Sequence, residues 1–290
     1  MRDNYYDLDE RGTLSIDGVV QDDPWFVDFF FRRLAPNANP DYTEFPYVCR
    51  CGDEMNYLRV RDTPIVFTRL EGERLIYGHS LSVHFEPEKL GYSSEGVLYH
   101  AAPLGMWGRI VPHVAVELAS YIEPWGPYYA FKLRATSTYV PLQPLALVDE
   151  IQLLRPKSEN GCVGCGLANP HSLRQTFVRF RSDGTIRTWI RPDERMQGAM
   201  GTTHGGFVSL LLDEVMGKAL SVRGIKAPTA KLQVDFRKPM MLHEQYELRS
   251  WIETQQGRKQ FVKAEVRLAC DDNILIAEAS GLFIALHKPY

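Results

Sequence analysis

Two spacings of apolar residues organise the second half of the 290-residue chain. Leu232, Val234 and Phe236 alternate with Lys231, Gln233, Asp235 and Arg237, and Val262, Ala264, Val266 and Leu268 repeat the alternation. A period of two marks strands with one buried face and one face that is wet or partnered. Between residues 206 and 220 the period changes. Phe207, Val208, Leu210, Leu211, Leu212, Val215, Met216 and Ala219 leave almost no polar stripe. A helix apolar over most of its girth is wrapped on several sides rather than laid on a surface. The predicted order is a hairpin (RQTFVRF and TIRTWIR, split by Ser182-Asp183-Gly184), then this helix, then four strands in TAKLQVDFRK, EQYELRSWIE, KQFVKAEVRLAC and ILIAEASGLFIAL. A curled antiparallel sheet around one buried helix meets both demands.

The first half is a mixture. LSIDG reads as a short strand and turn. Trp25 to Leu34 has helical length and a wide apolar face, with Pro36 as a stop signal. FPYVCRC, EMNYLRV and PIVFTRL read as short strands, Val111 to Ile122 as a helix with Pro112 in its first turn, and YYAFKLRA as another strand. The boundary falls within residues 140–161, where SENG reads as loop. The expected division is an α+β domain over 1–149 and the sheet-and-helix domain over 150–290, α+β overall. The segments FFFRRL…P, FP…CG…N.LR and PIVFT resemble an uncharacterised protein family over most of residues 5–105, and that resemblance implies no function.

Composition narrows the classes. A 44% hydrophobic, 24% charged chain can bury a core, and a net charge of −3 does not suggest a nucleic-acid binder. No run of about eighteen apolar residues suggests a membrane span. The polar, acidic start does not read as a signal peptide. Five cysteines are too few and scattered for a disulfide scaffold. The expectation is a soluble protein of the reducing cytoplasm.

The candidate chemistry surrounds His204-Gly205-Gly206 and Asp213. The first amides of a helix lack internal partners and sit at the positive end of its dipole, suited to a carbonyl oxygen gaining charge. Two glycines there allow close approach to the backbone, or simply tight packing of helix on sheet. Asp213 interrupts Leu210-Leu211-Leu212 and has Gly217 at i+4, whereas Glu214 has Lys218 as a helix-surface partner. A carboxylate in such a helix suits a nucleophile or a base, unless it lies on an exposed stripe. His204 could merely cap the helix, and Thr229 could be an ordinary strand residue. Cys162-x-x-Cys165 with Cys49-x-Cys51 offers four zinc-type ligands. The alternative, preferred here, is that the first pair shapes a turn, with no metal bound.

HGGFVSLLLDEVMGKA followed by PTAKLQVDFRKP, with CVGCGLANPHSL ahead of them, resembles the phenylacetate-type (PaaI-like) branch of the 4-hydroxybenzoyl-CoA thioesterase superfamily. The resemblance covers roughly residues 160–286. It implies a hotdog fold, hydrolysis of acyl-CoA thioesters without metal or redox cofactor, and a homodimer or dimer of dimers. It assigns the acid to Asp213, the carbonyl-polarising amide to Gly205, and supporting roles to His204 and Thr229; Gly206 is a candidate substrate-binding position. His171 stands where that family more often has glycine. Arg237, Lys238 and Arg258 then become candidates for coenzyme A phosphates, or a solvated basic surface. A hotdog hydratase or dehydratase and a non-enzymatic acyl-CoA sensor are the alternatives. Eight residues separate Gly205 from Asp213, roughly 12 Å along one helix. That is too far for one helix to serve one carbonyl with both groups, so the expected site is shared between two chains.

Overall fold

The alternating segments form one antiparallel sheet, and the apolar helix lies against it. In the computed structural model, which describes residues 2–133, 138–156 and 158–286, the strands of this sheet are β1 (Ile151–Leu154), β2 (Phe177–Phe180), β3 (Ile186–Ile190), β4 (Thr229–Phe236), β5 (Tyr246–Gln256), β6 (Lys259–Leu268) and β7 (Asp271–Ile284). Their order is β1-β2-β3-β5-β6-β7-β4. The central helix spans Gly205–Ser221 and packs across β3 to β7. This is the hotdog arrangement. The strand β1 lies in a stretch with no clear alternation, so the sheet has one strand more than the sequence pattern predicts.

Period-two alternation decides what each face covers. Phe177, Ile186 and Ile190 join Val208, Leu211, Leu212, Val215 and Met216 in the core beneath the helix. Their strand neighbours Val178 and Trp189 point the other way, into a second core with Trp125, Tyr128 and Ala130. The strands Ile122–Trp125, Tyr128–Leu133 and Thr138–Pro141 supply that cover. Trp125 meets Trp189 edge-on, with centroids 4.9 Å apart, and its indole N–H donates to the Trp189 carbonyl at 3.1 Å. Gly126 turns this hairpin at φ +61°, and a Cβ there would run into the Trp189 indole.

The chain falls into two compact units, Met1–Ile122 with Leu142–Ala146, and Glu123–Pro141 with Leu147–Tyr290. A cut at 149/150 would therefore separate the hairpin from the sheet face that it covers. In the first unit, Arg2–Leu8 pairs in parallel with Glu54–Val60 at the middle of a six-stranded sheet. The helix Pro24–Arg32 buries Phe30 against Tyr6. Its Asp28 is buried and accepts from the His79 and Ser80 amides at 2.8 and 3.0 Å, which offsets the cost of burying a carboxylate. The second expected helix is present, shorter, as Pro112–Ala119. None of the described helices is long and apolar enough to cross a membrane.

Candidate active site

The helix start is held by a short, tied-down loop. Gln197 bridges Thr203 and Thr202 bridges Met241. The Thr203 amide donates to Met240 O at 2.7 Å, and the His204 amide to Met196 O at 2.8 Å. His204 is the N-cap, with extended backbone angles, and its Nδ1 accepts from the Gly206 amide at 2.9 Å. That bond places the ring proton on Nε2. It also occupies the Gly206 N–H. The Gly205 N–H is left without a partner among the described residues. Beside it, the buried Thr203 hydroxyl likewise has no hydrogen-bond partner. Both residues line a cavity of about 360 Å³ with Phe236, Lys238 and Met240. The unspent Gly205 amide thus lies at a cavity by the positive end of a helix, and the Thr203 hydroxyl is buried next to it.

Asp213 lies two turns further along. It is half-buried, and its Oδ1 accepts from the Thr229 hydroxyl at 2.7 Å. Burial pushes its carboxyl above the usual carboxylate range, the Thr229 bond pulls it down, and the neighbouring Glu214 charge adds to the rise. The net direction is upward, toward the range useful to a group that must both take and return a proton. Thr229, expected either to support the acid or to be an ordinary strand residue, is in contact with Asp213, because β4 begins beside the middle of the helix.

The same strand separates Asp213 from the Gly205 amide. A Cβ built on Gly205 would meet the Phe236 ring at 3.4 Å, so the amide sits by the last residue of β4. Asp213 sits by its first, Thr229. The cations divide likewise. Arg237 follows the end of β4 and is engaged by Glu278 at 2.6 Å. Lys238 lines the cavity and makes no ion pair among the described residues. Arg258 belongs to the opposite end, where its Nε donates to Ala285 O at 2.9 Å, beside the Ile284 amide that bonds Pro228 O.

Glu214 departs from its expected place. Its pair with Lys218 exists, at 3.4 Å, but both side chains are covered by the loop carrying Cys162 and Cys165. The Cys162 thiol lies 3.3 Å from Glu214 Oε2, and the Lys218 ammonium 2.9 Å from Cys165 Sγ. Cys49 and Cys51 belong to the other unit. The signal for this contact was Gly164, between the two cysteines: a Cβ there would lie 2.7 Å from Glu214 Oε2. Nothing in the sequence pointed to Thr203, whose buried hydroxyl makes no hydrogen bond among the described residues.

Comparison with known proteins finds a match in each part of the chain. Residues 200–272 match the family described as Thioesterase superfamily, and residues 1–129 match a domain of unknown function, DUF4505. The acyl-coenzyme A thioesterase THEM4 of Bos taurus is 27% identical over 222 residues, covering 71% of this chain and 87% of that protein. The Xenopus laevis protein of the same name is 33% identical over 97 residues, 33% of this chain and 43% of that protein. The chain thus spans most of one curated relative and less than half of the other. Among solved structures, the thioesterase superfamily protein RHA08564 is 29% identical with a TM-score of 0.40, covering 43% of this chain and 60% of that one. The C-terminal part thus carries a thioesterase-superfamily domain, matched over residues 200–272, and the N-terminal part a domain of unknown function, matched over residues 1–129.

Proposed function

We propose that the C-terminal domain hydrolyses acyl-CoA or related acyl thioesters at two equivalent sites shared across a homodimer. In this reading the thioester carbonyl oxygen enters the cavity at the helix start and accepts from the Gly205 N–H, with the Thr203 hydroxyl as a second donor. Negative charge developing on that oxygen is met by donors already aimed and by the helix dipole. Asp213 takes a proton from water as the water attacks the carbonyl carbon, and returns it to the departing coenzyme A thiolate. An attack by the carboxylate itself is the alternative within the same geometry. Thr229 fixes the rotamer of Asp213. His204 holds the first turn open by capping Gly206, and Lys238 faces the anionic end of the substrate.

One observation carries the proposal. The paired Asp213 and the unspent Gly205 amide stand at opposite ends of β4, the outermost strand of its sheet. If two copies pair their β4 strands antiparallel about a two-fold axis, Thr229 of one comes to Phe236 of the other. Each Asp213 then faces Gly205 of the partner subunit, and the interface is isologous. The test mixes inactive Asp213→Asn with Gly205→Pro, which removes the donor. Mixed dimers should regain one intact site and a fraction of wild-type thiol release on a panel of short, long and aromatic acyl-CoAs. Proven heterodimers with no recovery would defeat the shared site. A wild-type protein that releases no thiol from any of the panel would defeat the thioesterase reading.

A further inference from the structure

Cys162, Cys165, Glu214 and Lys218 form a cluster that thioester hydrolysis does not use. The two sulfurs and a Glu214 carboxylate oxygen all lie within 4.8 Å of one another. The cysteines sit three apart in a turn closed by the Gly166 amide on Cys162 O at 2.8 Å. Cys162 is half-buried, whereas Cys165 is 2% exposed. The Asn160 amide group lies 3.4 Å from Cys165 Sγ. Burial, followed by the hydrogen bond to Glu214, pushes the Cys165 thiol up to about 12. Three such donors could hold a divalent ion, but the Lys218 ammonium already stands 2.9 Å from Cys165 Sγ and 3.4 Å from Glu214 Oε1. A metal ion would have to expel that charge and would still lack a fourth protein ligand among the described residues. A disulfide needs no further ligand, and the two sulfurs already lie within 4.8 Å of each other across a short turn.

We infer that Cys162 and Cys165 are a redox-active dithiol that exchanges with small-molecule disulfides of the glutathione class. Cys162, the more accessible sulfur, attacks one sulfur of the disulfide RSSR while Glu214 accepts its proton across the 3.3 Å contact. The S–S bond breaks, and the leaving RS⁻ takes that proton to depart as RSH. Cys165 then attacks Cys162 Sγ in the mixed disulfide, Glu214 accepts the second proton, and the second RS⁻ leaves as RSH. The balance is one dithiol oxidised to one disulfide and one RSSR reduced to two RSH. In a reducing compartment such a pair forms its disulfide only transiently, as redox-responsive pairs do. The oxidised turn no longer offers the S–H that Glu214 accepts, immediately beside Asp213.

The test equilibrates the whole 290-residue chain, carrying Cys270→Ser to remove the exposed thiol, in glutathione buffers of graded ratio. Samples are quenched in acid, and the remaining thiols are alkylated and located by peptide mass. The expected result is one two-electron transition confined to the peptide holding Cys162 and Cys165, with Cys49 and Cys51 still alkylated. Cys165→Ser should accumulate a glutathione mixed disulfide at Cys162, and Cys162→Ser should accumulate none at Cys165. The inference is overturned if both thiols stay alkylatable in fully oxidised buffer. It is also overturned if a bound metal ion shields them until a chelator is added. The titration of the Cys270→Ser chain alone decides the matter if the Cys162→Ser or Cys165→Ser variant fails to fold.

Discussion

Replacing Asp213 by asparagine should separate catalysis from stability, in opposite directions. The swap is nearly isosteric, and the asparagine Oδ1 can still accept from the Thr229 hydroxyl now held at 2.7 Å. What disappears is a charge in a half-buried place. Losing a base of this kind costs about 100- to 10,000-fold in rate, or about 3 to 5 kcal/mol of barrier. Stability follows from the direction of the titration. Burial, reinforced by the Glu214 charge, outweighs the Thr229 bond and raises the folded-state pKa of Asp213. A carboxyl raised on folding contributes stability that is fully present below its unfolded value, near ~3.9. That contribution is lost as pH rises through the folded value. At neutral pH the ionised Asp213 is therefore a cost, and Asp213→Asn should melt at or above the wild type. The difference should vanish below about pH 4, where both side chains are neutral. The wild-type rate should also fall on the acid side through a pKa above that of an ordinary aspartate. Thiol release from acyl-CoA and thermal melts at pH 4 and 7.5 measure all three. A variant that keeps more than about a tenth of the wild-type rate, against the range expected for a lost base, would refute the assignment. So would a variant that loses activity only because it is less stable at neutral pH.

Glu214→Gln should retain far more activity than Asp213→Asn yet melt lower, because it weakens the covered contacts to Lys218 and Cys162; equal loss of activity in the two variants would show that the wrong carboxylate has been chosen. Thr203→Val removes a buried hydroxyl that has no partner, so stability should hold or rise, while thiol release at saturating substrate should fall, by about 10-fold or more if the hydroxyl serves as an oxyanion donor. Trp125→Ala should cost about 3–5 kcal/mol in denaturant unfolding by uncovering Trp189. For the same reason residues 123–290 should fold as a soluble unit, while residues 150–290 should bind hydrophobic dye and lack cooperative melting.

The hotdog core was legible because its residues obey simple periods. Val262, Ala264 and Val266 are 1%, 1% and 0% exposed, and the helix positions Leu211, Leu212, Val215 and Met216 are all at or below 2%. Local chemistry was legible where neighbours in sequence meet, as in the cap that His204 places on Gly206. Long-range covering was not. Nothing in Trp125 or Tyr128 announces that they close the far face of a sheet that begins more than twenty residues later, since their partners Val178 and Trp189 sit in strands whose outward positions could equally face water. The burial of Glu214 was hidden for a similar reason. An i,i+4 pair looks the same in sequence whether solvent or a cysteine-bearing loop lies above it.

In the proposed reading, one pattern in the strand β4 serves fold and site together. Its apolar residues Leu232 and Val234 are only partly buried, and Phe236 is 54% exposed, although they alternate as regularly as the buried set in β6. Alternation of that regularity ordinarily signals a covered face. On its outer edge β4 has no strand neighbour among the described residues, and an eight-residue unpaired edge without proline invites pairing with another chain. A second copy pairing there would cover Phe236 and satisfy the edge. In the same step it would carry the partner's Gly205 toward Asp213, across the roughly 12 Å that one helix cannot close. Charging Phe236 by Phe236→Glu should therefore weaken assembly and turnover together while leaving the isolated fold intact. Sedimentation of the variant, read beside its thiol release, tests that coupling. A monomer with undiminished activity would show that the exposed edge and the catalytic geometry are unrelated.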